Sequence, residues 1–303
     1  MKVSKQTNDR IIKSGEDRAV DIVVWFCLIL VLLVTAYPFW YVVVASFSDG
    51  YDFMRGGVYL WPRIFTLDNY KNLLGQKIWT NAFAVSFIRT IVGTFLTVCM
   101  TCLVSYTLSR KDLMFGKIYR FLVVFAMYVS GGLIPYYIVL KNLHLVNSFW
   151  VYVIPSMLNL FFIIVGINFF GSIPMALVES AKLDGASELK TLLRIVMPIS
   201  TPFLATLSLF SAVNQWNSWL DSSYYVNKEA LRTVAYRMLV EINQSTGASI
   251  TGGTITTKST TLTTQATAMV TSMLPIMCVY PFLQKYFVPV SYTHLRAHET
   301  KAN

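Results

Sequence analysis

Long stretches without a charge alternate with short basic or polar clusters along this chain of 303 residues. Six runs contain no Asp, Glu, Lys or Arg, at 22–48, 90–109, 121–140, 145–178, 195–220 and 259–284. Their lengths are 27, 20, 20, 34, 26 and 26 residues. Each reaches the roughly 18 to 20 residues with which an α-helix crosses a hydrocarbon core of about 30 Å. Inside lipid a segment must pair its own backbone polar groups, which only helices and closed barrels do. A barrel would show alternating segments about ten residues long instead of these continuous runs. The pattern predicts an all-α, polytopic membrane protein with six transmembrane helices, at about 20–47, 82–108, 117–140, 148–171, 202–220 and 265–287.

Turn residues divide the rest. Residues 1–18 are hydrophilic, and the run behind them is too long for a signal-peptide core and lacks a small-residue cleavage pattern, so it reads as a retained first span. Gly50, Gly56, Gly57 and Pro62 mark a turn-rich segment before span two, in which Leu67-Asp68-Asn69-Tyr70 opens a short surface helix. Gly131-Gly132 and Pro135 predict a break near the end of span three. The Ser-, Thr- and Gly-rich stretch 244–267 is not read as a span.

The loop 172–200, between spans four and five, has a structure of its own. Ser172-Ile173-Pro174 starts a helix that Asp184-Gly185 ends. A second opens at Ser187-Glu188, where a hydroxyl can cap and an acid faces the positive helix end. Its Leu189, Leu192, Leu193 and Val196 fall at i, i+3, i+4 and i+7, the spacing of one buried face. Pro198 stops it and Thr201-Pro202 opens span five. Such a loop suits either docking of a cytosolic partner or a helix lying on lipid, and spacing alone does not choose.

Composition agrees with the pattern: 13% of residues are charged, against about 25% in an ordinary soluble chain. With the N-terminus inside, the inner segments hold 13 Lys and Arg and the longer outer ones 9, which predicts that both termini are cytoplasmic. The net charge of +10 then comes from inner flanks facing anionic lipid headgroups. No basic stripe lies on a soluble surface, so nucleic acid is not an expected partner. Cys99 and Cys102 form a C-x-x-C pair, but within an apolar helix a thiolate is costly and the pair reads as small hydrophobes, as do Cys27 and Cys278. His144 falls in a short outer loop. His294 and His298 have the i, i+4 spacing of a helical metal pair but lie in an atypical tail, and no metal site is expected.

Glu179-Ser180-Ala181, three residues, Gly185, nine residues, Ile195, one residue and Met197-Pro198 together resemble the E-A-A, three, G, nine, I-x-L-P signature of the permease subunits of ABC importers. Ser180 and Met197 depart from it by small or apolar exchanges. Ser130-Gly131-Gly132-Leu133-Ile134-Pro135, Trp216-Asn217-Ser218 and the stretch from Tyr280 to Val288 are similar to the carbohydrate-import branch. The resemblance covers about residues 10 to 288 and is nearest to oligosaccharide permeases of Gram-positive bacteria. After Val288 the chain departs from it: residues 289–303 resemble translated sequencing-adapter read-through and are set aside as a non-native tail.

The resemblance implies the MetI-like permease fold over 19–288, in the plasma membrane of a bacterium. It implies a second permease subunit, two cytosolic ATP-binding subunits and an extracellular solute-binding lipoprotein as partners. The segment from Pro174 to Gly185 is then the coupling helix, with Glu179, Ser180, Ala181, Asp184 and Gly185 meeting the ATPase. No G-x-x-x-x-G-K-[ST] loop occurs, so the expectation is a permease without chemistry or cofactor of its own, ATP being bound by partner subunits. A sugar path calls for hydrogen-bonding groups and flat apolar surfaces. Span five offers Asn214, Gln215, Trp216, Asn217 and Trp219, and span three offers Tyr128, Ser130 and Tyr136. The same residues also suit interfacial aromatics and helix-packing amides. The alternative class is an ion-coupled secondary transporter of a small polar solute, which would show intramembrane carboxylates, whereas only Asp21 and Arg89 lie at the edges of the runs. A membrane enzyme is disfavoured because neither H-E-x-x-H nor G-x-S-x-G occurs.

Overall fold

A computed structural model describes residues 15–251 and 259–278, which are helical apart from turns and one isolated antiparallel bridge, Ser48 to Phe65. The first helix, α1 (Gly15–Ser46), is apolar on every side and stays exposed along Ile22 to Trp40, with Val44, Ala45 and Ser46 buried at its end. Two short helices follow. In α2 (Gly50–Met54) the Asp49 carboxylate accepts from the amides of Tyr51 and Asp52. The expected surface helix after Leu67 is α3 (Asp68–Gly75), and one face of it also anchors the chain. Its Leu73 is fully buried, and Asn69 Nδ2 donates to the carbonyls of Ser46 and Ser48 at 3.1 and 2.8 Å.

The mast of the molecule is α4 (Lys77–Ser109), 33 residues long. Its buried positions Ala82, Ser86, Arg89, Gly93, Thr97, Thr101 and Ser105 recur every three or four residues along one face, and all but Arg89 are small. Small residues let neighbouring backbones approach closely where lipid supplies no hydrophobic drive. A Cβ on Gly93 would stand 2.5 Å from Gln215 Nε2, and one on Gly166 would stand 2.5 Å from Ser105 Oγ. Against this face pack α7 (Leu160–Gly171) and α11 (Thr201–Asn217).

Span three breaks as its glycines predict. Helices α5 (Gly116–Tyr128) and α6 (Leu133–Asn142) meet at 115°, with Gly132 at φ +84°. Span four departs from expectation. The run 148–171 holds a single 3-10 turn, Phe149–Tyr152, then irregular backbone, and only then α7. Pro155 cannot donate into a helix, and Asn159 restarts one by accepting from the Phe162 amide at 3.2 Å. Charge-free length signals burial without saying which backbone is buried.

After α7 the chain bends by 76° into α8 (Met175–Leu183), turns, and forms α9 (Glu188–Thr191). A π-helical turn at Leu192–Val196 and α10 (Met197–Ile199) complete that run, and an 88° bend leads into α11. The short α12 (Leu220–Tyr225), a 3-10 turn at Glu229–Leu231, α13 (Val234–Thr251) and α14 (261–278) follow. Among the described residues Val20–Ser46 and Lys77–Ser109 are single helices long and apolar enough to cross a membrane, and the three bent pairs raise the number to five at most. The expected sixth span, 265–287, begins on α14, and its remainder lies outside the described residues, as do residues 1–14, the tail 289–303 and His294 and His298.

Three apolar clusters hold the bundle, one of them Leu73, Trp79, Ala82, Val234 and Ala268 beside the start of α4. Near Ser109, side chains of α4, α7, α8, the α9 run and α11 meet: Cys102, Tyr106, Phe170, Val178, Leu192, Val196, Phe203 and Leu207. Near the α6 to α7 connection, Leu140, Val151, Tyr152 and Val153 pack with Tyr225 and Val226. Cys102 is thus a core residue, and the thiols of Cys27, Cys99, Cys102 and Cys278 are free.

Candidate functional site

The α8 to α9 segment has the helix, glycine turn and helix read from the sequence. Gly185 stands at φ +76°, where a side chain is strained whatever the space around it. The amide of Ala186 bonds the Ala181 carbonyl at 2.9 Å and that of Gly185 the Lys182 carbonyl at 3.0 Å, the paired bonds of a Schellman end. Ser187 then caps α9 by accepting from the Lys190 amide.

Only Val178 and Ala181 of α8 are buried. Glu179, Ser180, Asp184 and Gly185 are exposed, together with Met175, Leu177 and Leu183, the last at 89%. Ala181, expected at a docking surface, instead packs inward, where its small side chain lets α8 lie against the core. The second helix also differs from its predicted face. Leu192 and Val196 are buried, whereas Leu189 and Leu193 are about half exposed. Pro198 has no amide for the regular ladder. The preceding turn widens, Met197 N–H reaching the Leu192 carbonyl, and neighbouring elements cover one side only of the widened run.

Glu188 ties this loop to the mast. Its Oε2 accepts from Tyr106 Oη at 3.0 Å, its Oε1 pairs with Lys182 Nζ of α8, and Arg110 Nη2, just past α4, stands 3.9 Å away. The hydrogen-bonded Lys182 ammonium, with help from Tyr106 and Arg110, holds the Glu188 carboxyl below its ordinary value of 4.5 against the opposing pull of partial burial.

A second polar network sits inside the bundle. Arg89, expected at the mouth of span two, lies well within α4 and is 2% exposed. Its guanidinium pairs bidentately with Asp221, donates from Nε to Gln215 Oε1 at 2.9 Å and from Nη1 to the Ser218 carbonyl at 3.1 Å. It also lies 4.6 Å from the centroid of the Tyr152 ring. Gln215 passes the chain on, Nε2 donating to Ser156 Oγ at 2.7 Å. Arg89 and Asp221 are 132 residues apart, so no local spacing could announce the pair. The available signal was the cation itself, since an ionisable residue in a spanning helix calls for a partner.

The expected sugar-path residues divide by face. Asn214 and Asn217 are exposed and, with Phe210, form an i, i+4, i+7 stripe on α11. Trp216 points the other way: it is buried, its Nε1 donates to the Ser272 carbonyl at 3.1 Å, and it packs edge-on against Phe87. Gln215 is taken up by Arg89 and Ser156. Tyr128 and Ser130 are exposed at the α5 to α6 bend, and Tyr136 and Trp219 are partly exposed. His144 is exposed. Among the described residues no cluster of three or more His, Cys, Asp or Glu side chains could hold a metal ion.

Known proteins match this chain across nearly its whole length. It is 34% identical over 274 residues to the polygalacturonan/rhamnogalacturonan transport system permease protein YtcP of Bacillus subtilis (strain 168), covering 90% of this chain and 96% of that one. It is also 34% identical over 261 residues to the protein LplC of the same organism, covering 84% and 86%. A solved bacterial ABC transporter chain involved in import of the acidic polysaccharide alginate superposes with a TM-score of 0.81 at 27% identity, covering 91% of this chain and 99% of that one. No protein-family model matches the chain. An all-helical membrane fold shared over nine-tenths of its length with such permeases defines a transport subunit. The chain belongs to the permease subunits of carbohydrate ABC importers.

Proposed function

We propose that this chain forms part of the translocation path for an oligosaccharide and couples to ATP hydrolysis through α8. In this reading the chain crosses the bacterial plasma membrane six times with both termini cytoplasmic. It pairs with a second permease subunit, receives sugar from an extracellular solute-binding lipoprotein, and rests on two cytosolic subunits that hold the ATP. The relatives handling polygalacturonan/rhamnogalacturonan and alginate make oligomers of those sugars the first probes for the cargo. Asn214, Asn217, Tyr128 and Ser130, all exposed, are the side chains proposed to line the path.

One observation carries the coupling assignment. The α8 helix buries two side chains, presents Glu179, Ser180, Asp184 and Leu183 outward, and ends in a rigid positive-φ turn. Exposed apolar surface beside charge on a rigid element is what a docked helix offers its groove. ATP-driven closure of the ATPase pair would move this element and shift the permease between its two arrangements.

Gly185→Val is the test. Valine is strained at φ +76°, so the turn would reopen while the spans are untouched. The expected outcome is normal membrane insertion with uptake of the probe oligosaccharide lost and ATP hydrolysis no longer responsive to it. Unchanged uptake at normal protein levels would remove α8 from the coupling path.

A further inference from the structure

A lever is useful only if it is fixed to what it moves, and α8 has little apolar grip. Val178 and Ala181 are its only buried side chains. Apolar contacts of that size resist separation but set no direction, so α8 could slide or roll against the core under load. Directional bonds to a carboxylate do set one.

Glu188 collects two such bonds and a further cation nearby. Lys182, on the last turn of α8, pairs with Oε1. Tyr106, on the last turn of α4, donates to Oε2 at 3.0 Å. Arg110, immediately after α4, stands 3.9 Å from Oε1, lies 5.9 Å from the Tyr106 ring and reaches back to Met175 Sδ, at the start of α8, at 3.8 Å. The partners are better buried than the carboxylate: Tyr106 is 7% exposed, and the Arg110 side chain 12% against 55% for Glu188. Tyr106 also packs edge-on against Phe170 at the end of α7. The Ser187 cap holds the first turn of α9, and so the carboxylate, in place.

We propose that Glu188 is a positioning residue that bolts α8 to the Ser109 end of α4, so that α8 and α4, with α7 and α11 packed on it, move as one body. An exposed ion pair alone contributes little, and here the strength lies in several groups converging on one carboxylate. The proposal rests on the coupling assignment made above, since a bolt matters only if α8 is driven.

The test uses the whole importer, purified with its own partner subunits, with the four native cysteines replaced by alanine and spin labels at Thr107→Cys on α4 and Ala176→Cys on α8. In the otherwise unmutated complex the distance between labels should be the same without nucleotide and with ATP and vanadate. In Glu188→Gln it should shift or broaden by several ångströms on adding ATP and vanadate, and the response of hydrolysis to the binding protein should fall about tenfold. Tyr106→Phe should act in the same direction. Tyr106→Phe combined with Glu188→Leu should be no worse than Glu188→Leu alone, because Glu188→Leu already removes the acceptor to which Tyr106 donates. If Glu188→Gln does not assemble, Tyr106→Phe and Lys182→Met each remove a single bond and give the same reading. A distance as invariant in these variants as in the parent overturns the bolt. Separately, an unlabelled Ser180→Cys thiol that gives no product with the ATPase subunits under a bifunctional thiol reagent overturns the coupling assignment itself.

Discussion

Arg89 shows how much one buried side chain can be asked to hold. A cation inside a spanning helix is tolerated only when paired and fully hydrogen-bonded, and here Asp221, Gln215, the Ser218 carbonyl and the Tyr152 ring supply that shell. Asp221→Asn leaves the guanidinium charged and uncompensated, which costs about 3 to 5 kcal/mol. The expected outcome is a markedly lower melting temperature in detergent, with Arg89→Met plus Asp221→Leu recovering most of it, because an apolar pair of similar volume carries no desolvation penalty. A double variant as unstable as Asp221→Asn would contradict this account. The same network explains what could not be read from the chain. A helix apolar on every side gives no periodicity to sort its few polar residues by face. Gln215 and Trp216 therefore looked as suited to a sugar as Asn214 and Asn217, until packing turned the first two inward and left the others exposed.

At the scale of elements, breaks proved more legible than continuity. Gly131-Gly132 and Pro135 announced the α5 to α6 bend, Gly185 the end of α8 and Ser187 the start of α9, because each acts through its own backbone or cap. The π-helical turn at Leu192–Val196 was not read, since Pro198 signals that the regular ladder stops without saying whether the turn before it widens or ends. Glu188 gives this element a pH signature. Its carboxyl is held below 4.5 in the folded chain, chiefly by Lys182, so its contribution is complete above the unfolded value and is lost as pH falls through the folded one. Melting temperatures of the parent and Glu188→Gln, measured against pH, should differ most above pH 4.5 and converge in more acid solution. A gap that instead widened on acidification would reverse the sign assigned to this group.

At the scale of the whole molecule, the question is whether a segment that is only partly helical can cross a bilayer. Between His144 and the start of α8 at Met175 the regular helix is α7, 12 residues or about 18 Å long, short of a core of about 30 Å. In a crossing, the backbone from Phe149 to Asn159 would have to supply the remaining length in less regular form. Irregular backbone at membrane depth is permitted where protein, not lipid, surrounds it. Protein surrounds part of this stretch: Val151, Tyr152 and Val153 are buried while Ile154 and Leu158 stay exposed, Ser156 Oγ donates to the Tyr152 carbonyl at 2.8 Å, Thr97 Oγ1 to the Ser156 carbonyl at 3.3 Å, and Tyr152 Oη to the Leu231 carbonyl at 2.7 Å. Charge-free length marks 145–178 as a candidate crossing, and the contacts that would excuse its broken helix come from α4 and from the chain after α12, too distant in sequence to be foreseen. Single cysteines at His144 and Ser180, in a chain whose four native cysteines are alanine, should therefore react with a membrane-impermeant maleimide from opposite faces of sealed vesicles. His144→Cys should be labelled from outside and Ser180→Cys only after the cytoplasmic face is opened. Labelling of both from one face would make 145–178 a re-entrant loop and reduce the crossings below six.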